Sequence, residues 1–368
     1  MPALTFGFVG LGLIGGSIAK AVREKMPDSK IIAYDIQNNT LSLAKKEGVA
    51  DVILSEIDDS FRQCDYLFLC APVSGNDENL KKLTGFIRKD CTLTDVGSVK
   101  TDIHSHIEAL GLSPNFIGGH PMAGSERIGY QNSKAVLLEN AYYILTPTKE
   151  VSQEKVTAYK NLVETLGAIP LILTSKEHDY VTAAVSHLPH VIASSLVNLV
   201  HDSDSENGIM KMIAAGGFKD ITRIASSSPV MWQQICLTNT ENIISLLNDY
   251  IEALSGIRKK LEDKNAPALF DLFEKARNYR ESFIEVSSGP IKKSYSVNVD
   301  IIDKAGSLAS VATLLADNHI SIKNIGIVHN REFEAGTLKI EFHEEIAIEQ
   351  AVSLLQAHGY PVHRKSCL

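Results

Sequence analysis

The sequence predicts an α/β protein of three domains, and three observations carry this prediction. A short apolar run over residues 4–9 leads into a glycine-rich turn and then into a helical pattern. Long amphipathic helical patterns occupy the stretch from about 175 to 285. After a Ser-Ser-Gly-Pro linker, the remaining chain alternates in the order βαββαβ. We therefore expect an α/β domain, an all-α domain and a small α+β domain, over residues 1–172, 173–288 and 295–368.

The glycine-rich turn has the spacing of a dinucleotide-binding site. The run 4–9 suits a buried parallel strand, and Gly-x-Gly-x-x-Gly follows it directly. The first glycine permits a tight turn, the second lets a diphosphate approach the backbone, and the third allows close packing of helix on strand. The helix N-terminus then offers amide donors to the diphosphate. We therefore predict a Rossmann-type domain whose cofactor contacts Gly10, Gly12, Leu13, Ile14 and Gly15.

A carboxylate further along the chain indicates which dinucleotide binds. A second apolar run, 31–34, ends at Asp35, twenty residues after Gly15. This carboxylate can accept hydrogen bonds from the ribose 2′- and 3′-hydroxyls, and it would repel a 2′-phosphate. The sequence therefore favours NAD over NADP.

Composition limits the class of protein. The chain of 368 residues is long enough for two or three domains, and its net charge of −8 argues against nucleic acid as a partner. Its five cysteines, at 64, 70, 91, 236 and 367, form no Cys-x-x-Cys pair and no metal-ligand cluster, as expected in a reducing cytoplasm. Because no signal peptide and no apolar stretch of membrane-spanning length are visible, we expect a cytoplasmic enzyme without a metal.

Candidate site residues follow successive strands of the predicted sheet. Ala71, Pro72 and Val73 follow the run 66–70, and Ser98 follows the run 92–95. Ligands of open α/β sheets bind beyond the carboxyl ends of the strands. We therefore expect these residues to converge at the cofactor, together with the loop that follows residues 115–118.

That loop reads Gly-Gly-His-Pro-Met-Ala-Gly-Ser-Glu over residues 118–126. Beside a nicotinamide ring, His120 would be placed to take a proton from a hydroxyl as hydride leaves the same carbon. A histidine fits this task because its ordinary pKa lies near working pH. A histidine in a glycine-rich turn with no chemistry is the alternative.

The helical region holds a basic cluster that fits an anionic substrate. On one helix Lys219 and Arg223 would share a face, with Asp220 able to orient the guanidinium. An arginine fork grips a carboxylate with two bonds, and His190 could donate to a substrate carboxylate. A solvated charged face is the alternative. Because amphipathic helices without a sheet of their own often pair with another subunit, we also expect a homodimer.

The C-terminal stretch suggests a site for a small effector. The turn from Asp303 to Gly306 joins its first strand to its first helix, where free amides can hold an amino acid's carboxylate. Asn324, in the second strand, could bind the same ligand from a paired tail. A tail that serves only dimerisation is the alternative.

Taken together, these segments resemble prephenate dehydrogenases that carry a C-terminal ACT domain. The resemblance spans nearly the whole chain, and its motifs are Asp-Val-Gly-Ser-Val-Lys from 95, the His120 loop, Ser-His-Leu-Pro-His from 186, and Gly-Phe-Lys-Asp-Ile-Thr-Arg from 217 with Trp232. It implies NAD-dependent oxidative decarboxylation of prephenate to 4-hydroxyphenylpyruvate by a homodimer, with inhibition by L-tyrosine. It implies that His120 and Ser98 are catalytic, and that substrate binds to Ser125, Glu126, His190, Lys219, Arg223 and Trp232. For Glu126, an ordinary surface carboxylate is the alternative.

Three other functions stay open on the sequence. Arogenate dehydrogenases use the same fold and chemistry, with an amino group replacing the side-chain keto group. A β-hydroxyacid dehydrogenase would share the glycine turn and the helical domain, but it gives no reason for the His120 loop. A non-catalytic sensor of NAD and amino acids would be expected to have lost His120, Ser98 or Arg223, and all three are present.

Overall fold

The computed structural model of the chain describes residues 3–124, 127–286, 295–301, 306–328, 336–342 and 344–363. The chain divides into two compact units, residues 1–256 and 257–368. Each unit is described by itself.

A five-stranded parallel sheet forms the centre of the first unit. Its strand order is β3-β2-β1-β4-β5, as predicted for a Rossmann-type domain. All residues of β4 and β5 are buried, which explains the continuous apolar character of β4, whereas β5 buries the polar residues Thr92, Thr94 and Asp95. The three-residue strand β3 was not predicted from the sequence. The strands are β1 (Thr5–Val9), β2 (Lys30–Tyr34), β3 (Val52–Leu54), β4 (Tyr66–Leu69) and β5 (Thr92–Asp95).

Helices pack on both faces of this sheet. Phe6 and Phe8 point to one face, where they join a core with α1, α2 and α5, while Leu67 and Leu69 point to the other, with α3 and α4. This alternation of side chains buries both faces of the sheet. The helices are α1 (Leu13–Lys25), α2 (Asn38–Lys46), α3 (Val73–Leu83), α4 (Thr101–Ala109) and α5 (Gln153–Thr165).

Three further strands extend the unit beyond β5, and they correct one expectation. The Rossmann-type domain predicted over residues 1–172 implies parallel pairing, but β6 (Ile117–Pro121) and β7 (Tyr142–Pro147) are antiparallel. The described residues between them, 122–124 and 127–141, form only loops and short 3₁₀ turns and include no crossover helix that would carry the chain back for parallel pairing. Strand β8 (Ile169–Ile172) then pairs in parallel with β7, and a bridge between Leu93 and Phe116 joins this sheet to β5.

The chain from 175 to 262 is helical, as predicted. One π-helical turn, Ala183–His187, interrupts the first of these helices. Large apolar side chains are exposed in this region, among them Met212 at 76% and Leu237 at 72%. The helices are α6 (Ser175–Thr182), α7 (Leu188–Ser203), α8 (Ile209–Ile213), α9 (Gly216–Thr222), α10 (Pro229–Thr238) and α11 (Thr240–Glu262), with a 3₁₀ turn at Arg223–Ser226.

The continuous helical segment Ser175–Ser203 corrects a second expectation. By length and composition alone it is apolar enough to cross a membrane, whereas we expected no stretch of that kind. However, its polar residues His178, Asp179 and His187 are each no more than 1% exposed. Because these residues bond to other elements of the same unit, we assign the segment to protein packing.

The second unit contains the predicted βαββαβ order. Its antiparallel sheet has the order β10-β11-β9-β12, and its core includes Val299, Leu315 and Ile340. Helix α14 begins at Glu345, and β10 begins at Ile322. The elements are α12 (Ala266–Val286), β9 (Tyr295–Ile301), α13 (Ser307–Asp317), β10 (Ile322–Val328), β11 (Gly336–Phe342), α14 (Glu345–Ala357) and β12 (Val362–His363).

Candidate active site

The glycine turn has the geometry that a dinucleotide requires. Gly10 has a φ of +96°, and a Cβ there would lie 2.7 Å from the backbone nitrogen of Ala71. A Cβ on Gly15 would lie 2.6 Å from the carbonyl oxygen of Gly10. Gly12, by contrast, faces open space and caps α1 without a side-chain bond, and Leu13 and Ile14 open the helix behind it. The turn therefore fits a diphosphate on the helix amides.

Asp35 lies beside this turn, at the end of β2. One oxygen of its carboxylate accepts a 2.7 Å hydrogen bond from the backbone of Leu11, and the other accepts a 2.8 Å bond from Gln37. These bonds hold the carboxylate against the glycine turn. This is the position from which an acidic residue reaches the ribose in Rossmann-type domains.

The predicted residues at the strand ends lie as follows. Ala71 and Pro72 follow β4 after the single residue Cys70, and Ala71 touches the glycine turn at Gly10. Ser98 is partly buried three residues after β5. His120 is not in a loop after its strand, as expected, but is the fourth residue of β6. Its backbone pairs with Ile144 of β7, so its position is fixed by the sheet.

A buried ion pair holds the backbone next to His120. The Lys100 ammonium pairs with Asp95 and donates a 2.8 Å bond to the carbonyl oxygen of Gly119, and both charged side chains are almost fully buried. Asp95 in turn accepts a 3.2 Å bond from the backbone nitrogen of Gly119. The peptide groups on both sides of Gly119 are therefore clamped by opposite charges.

His120 is bonded to two residues that the sequence analysis missed. Its Nδ1 lies 2.8 Å from His178 Nε2, and His178 Nδ1 lies 2.7 Å from the Asp179 carboxylate. Because a carboxylate only accepts, His178 carries its proton on Nδ1 and, when neutral, accepts at Nε2. His120 must therefore donate from Nδ1, which leaves its Nε2 lone pair free to take a proton. The chain Asp179–His178–His120 presents His120 as a base.

Backbone amides at the start of α4 fix this chain. Asp179 accepts bonds of 2.7 Å from the nitrogens of both Lys100 and Thr101. A carboxylate at a helix N-terminus is stabilised by those amides and by the helix dipole. The bond from His178 and these amides lower the pKa of Asp179 against the effect of burial. Asp179 therefore stays ionised and keeps the proton of His178 on Nδ1.

The charge state of His120 follows from its surroundings. Burial of the ring among packed groups lowers its pKa well below the ordinary value, and nearby His178, Lys100 and His187 lower it further. His120 is therefore neutral at neutral pH, which is the form a proton acceptor needs.

The π-helical turn brings His178 and His190 to the same side of the helical segment Ser175–Ser203. In an unbroken α-helix, residues twelve apart such as His178 and His190 point about 120° apart. A π turn absorbs one extra residue, which reduces that angle to roughly 20°. The turn at Ala183–His187 lies between the two histidines, so both face the same side of the segment. Sequence periodicity gave no sign of this turn.

His190 and Trp232 form the second part of the site. Their rings stack with centroids 3.6 Å apart. His190 Nδ1 lies 2.9 Å from the carbonyl oxygen of Ser186, so Nδ1 is the donor and the neutral ring accepts at Nε2. We expected His190 to donate to a carboxylate, and with this geometry it can do so from Nε2 only when protonated. Burial lowers the pKa of His190, and the nearby charge of Arg223 lowers it further.

The basic pair is arranged differently from the prediction. Helix α9 ends at Thr222, and Arg223 begins a 3₁₀ turn, so Lys219 and Arg223 do not lie on one continuous α-helix. Both side chains are exposed. The predicted residues Ser125 and Glu126 lie outside the described residues.

The predicted effector residues are only partly described. Gly306 has a φ of +92° and caps α13, so the turn there requires a glycine. Asn324 is exposed on β10, and its side chain hydrogen-bonds Glu341, which helps to lower the pKa of that carboxyl. Asp303 lies outside the described residues. Within those that are described, no group of three or more His, Cys, Asp or Glu side chains is placed to hold a metal ion.

The chain matches two family models. Residues 18–171 match the model described as prephenate dehydrogenase, nucleotide-binding domain. Residues 174–275 match the model described as prephenate dehydrogenase, dimerization domain. Residues beyond 275 lie outside both models.

Relatives and solved structures agree with these models. The chain is 37% identical over 357 residues to a prephenate dehydrogenase of Bacillus subtilis (strain 168), covering 96% of each chain. It is similar to the crystal structure of Aquifex aeolicus prephenate dehydrogenase in complex with hydroxyphenyl propionate and NAD+, with a TM-score of 0.73 and 32% identity over 77% of this chain and 99% of that chain. It is also similar to Synechocystis arogenate dehydrogenase, with a TM-score of 0.68 and 28% identity over 76% of this chain and 100% of that chain.

Proposed function

The chain belongs to the prephenate dehydrogenase family and catalyses the NAD-dependent oxidative decarboxylation of prephenate in tyrosine biosynthesis, and from this premise we propose the roles of its residues. The observation that carries the proposal is the bond between His120 and His178. That bond leaves Nε2 of His120 unprotonated. His120 directly follows Gly119, whose carbonyl oxygen is held by Lys100 of the buried Asp95–Lys100 pair.

Prephenate is a cyclohexadiene with a C4 hydroxyl, a ring carboxylate and a pyruvyl side chain. In the reaction, His120 Nε2 accepts the proton of the C4 hydroxyl as hydride leaves C4. Bound NAD supplies the hydride acceptor. Loss of carbon dioxide then restores aromaticity, so the protein must mainly orient the substrate and take the proton. A positioned base contributes roughly 10²- to 10⁴-fold.

His178 and Asp179 act through His120 as positioning residues. When His120 takes the proton, it becomes an imidazolium whose Nδ1–H already points at His178. The ionised Asp179 stabilises this charge through His178, so the ring needs no reorientation during the reaction. Ser98, beyond β5, is proposed as the neighbour of His120 at the nicotinamide.

The residues that hold NAD surround the glycine turn. Gly10, Gly12, Leu13, Ile14 and Gly15 would hold the diphosphate, and the Asp35 carboxylate would bind the ribose hydroxyls and disfavour a 2′-phosphate. Ala71, Pro72 and Val73 line the nicotinamide side. The open face of Gly12 and the contact of Gly10 with Ala71 support this arrangement.

The substrate carboxylates are held on the helical side. Arg223 is the proposed anchor, assisted by Lys219, His190 and Trp232, with Ser125 and Glu126 contributing from the loop after β6. The electrostatic effect of Arg223 on His190 supports their proximity. His190 would have to carry a second proton to donate a bond from Nε2 to a carboxylate.

Arogenate is the second candidate substrate, and one observation favours it. The neutral His190 presents an acceptor at Nε2, which suits the ammonium group of arogenate. Steady-state turnover with NAD and each substrate separates the two. We expect kcat/KM to be higher with prephenate, and a higher value with arogenate would assign the second function.

We further propose a cytoplasmic homodimer of three domains, over 1–172, 173–288 and 295–368. The exposed apolar side chains of the helical region support pairing, because patches of that kind mark interfaces. The βαββαβ order and the glycine-capped helix α13 support an ACT-like regulatory tail that binds L-tyrosine near Asp303, Gly306 and Asn324.

A further inference from the structure

His187 is a buried histidine to which the mechanism above gives no role. It is 1% exposed, and it ends the π-helical turn between His178 and His190. Burial lowers its pKa to about 4, so the ring is neutral throughout the neutral range. A neutral imidazole has one donor and one acceptor nitrogen, and their assignment decides what His187 can bind.

Asn239 fixes that assignment. The Asn239 amide nitrogen donates a 2.8 Å bond to the carbonyl oxygen of Asp179, and its oxygen accepts a 2.8 Å bond from Asn242. The orientation of the Asn239 amide is therefore settled, because the Asp179 carbonyl oxygen cannot donate and the atom facing it must be the amide nitrogen. The same amide nitrogen lies 3.1 Å from His187 Nδ1, which must be the acceptor. The proton of His187 is therefore on Nε2.

This Nε2–H is buried and has no acceptor among the described residues, and the same holds for the indole Nε1–H of Trp232. The two rings meet edge to face, with centroids 5.9 Å apart and planes at 75°. In such a pair only one ring points its edge at the face of the other. An N–H···π contact between the two rings can therefore satisfy either His187 Nε2–H or Trp232 Nε1–H, but not both. At least one buried donor is therefore unsatisfied, which destabilises the free protein.

We propose that His187 Nε2–H binds an oxygen of the substrate, a carboxylate or keto oxygen. This inference rests on the function proposed above. The position supports it, because the His187 ring contacts Trp232 and His187 is near enough to His120 to contribute to the lowering of the pKa of His120. Two neighbouring N–H donors suit an oxygen acceptor and repel an ammonium group.

The proposal makes a prediction that a structural role for His187 would not make. Replacing an unsatisfied donor by an apolar side chain removes a cost in the free protein and a bond in the complex. For His187→Met we therefore expect the KM for prephenate to rise about tenfold or more and the melting temperature to stay level or rise by about 2–4 °C. His187→Gln, which keeps an N–H donor, should retain most of the affinity.

His104→Met is the matched control. This partly buried histidine lies 3.0 Å from the Thr146 hydroxyl, so its loss should lower the melting temperature and leave the KM unchanged. If His187→Met fails to fold, His187→Glu is compared with His187→Gln instead. The carboxylate of the Glu variant should raise the KM for prephenate more than the amide of the Gln variant does.

Two results would overturn the inference: a KM within about twofold of wild type in the Met or Glu variant, or a KM that rises equally in the Gln variant. Failure of the proposed function is distinguishable, because it would appear as absent turnover of prephenate by the wild-type enzyme.

Discussion

His120 Nδ1 and His178 Nε2 lie 2.8 Å apart, with ring centroids 5.0 Å apart and planes at 64°. The two residues are separated by 58 positions in the sequence. Since His178 also bonds the ionised Asp179, this contact decides which nitrogen of His120 is free to react. The first three predictions below depend on this relationship.

His120→Asn should keep the fold and NAD binding and lose roughly 10²- to 10⁴-fold in kcat, because an amide cannot take the hydroxyl proton. Steady-state kinetics and an NAD titration by fluorescence measure the two effects. His104→Asn, in the neighbouring helix α4, is the control and should retain turnover. Near-normal kcat in His120→Asn would remove this residue from the mechanism.

The acid limb of the kcat/KM profile should lie below pH 6.5, the ordinary pKa of histidine. The active form of His120 is neutral, and burial together with His178 and Lys100 lowers its pKa. Activity is therefore present above the lowered pKa and is lost only as the pH falls through it. A pH series with NAD and prephenate tests this, and an acid limb above pH 7 would contradict it.

His178→Leu should reduce kcat by about tenfold or more with little change in NAD affinity. The apolar side chain fills the buried position but offers no acceptor to His120 Nδ1–H, so the imidazolium loses its support. His178→Gln carries an acceptor oxygen and should recover part of the loss. If Leu and Gln lower kcat equally, the position serves packing only.

Arg223→Ala should raise the KM for prephenate by about 10- to 100-fold and change kcat less, since it removes a charged bond to a substrate carboxylate. The lower end of that range applies if solvent screens the bond, because the Arg223 side chain is exposed in the free protein. Lys at this position offers a point charge instead of a fork and should rescue poorly. A KM within about twofold of wild type would place the anchor elsewhere.

L-tyrosine should inhibit the wild-type enzyme, and Gly306→Val should abolish this inhibition while sparing turnover. The φ of +92° at Gly306 disfavours any L side chain, so the substitution disturbs the start of α13. Inhibition curves for both proteins, and for a chain lacking 290–368, measure the effect. The coupling expected for an allosteric effector is typically 1–3 kcal/mol. Unchanged sensitivity in the truncated enzyme would place tyrosine at the active site and leave the tail a role in dimerisation only.

Local signals in the sequence determined much of this protein. The apolar runs predicted the central strands, because a parallel strand buried on both faces must be apolar along its length. The glycine spacing and Asp35 predicted the cofactor turn. A side chain at Gly10 or Gly15 would clash with backbone of the same βαβ unit, so the requirement for glycine is visible in the local sequence. The His120 loop was recognised from its own residues.

Only the tertiary structure decided how that histidine works. His178 and Asp179 lie in a helix whose periodicity shows which face is apolar but not which residue of another element it meets. The backbone carbonyl of Ser186, in the π-helical turn, fixes the tautomer of His190, and the side chain of Asn239, distant in the sequence, fixes that of His187. A proton's position depends on such partners in three dimensions, so residue type and spacing in the sequence could identify the histidines but not the nitrogen that each one offers.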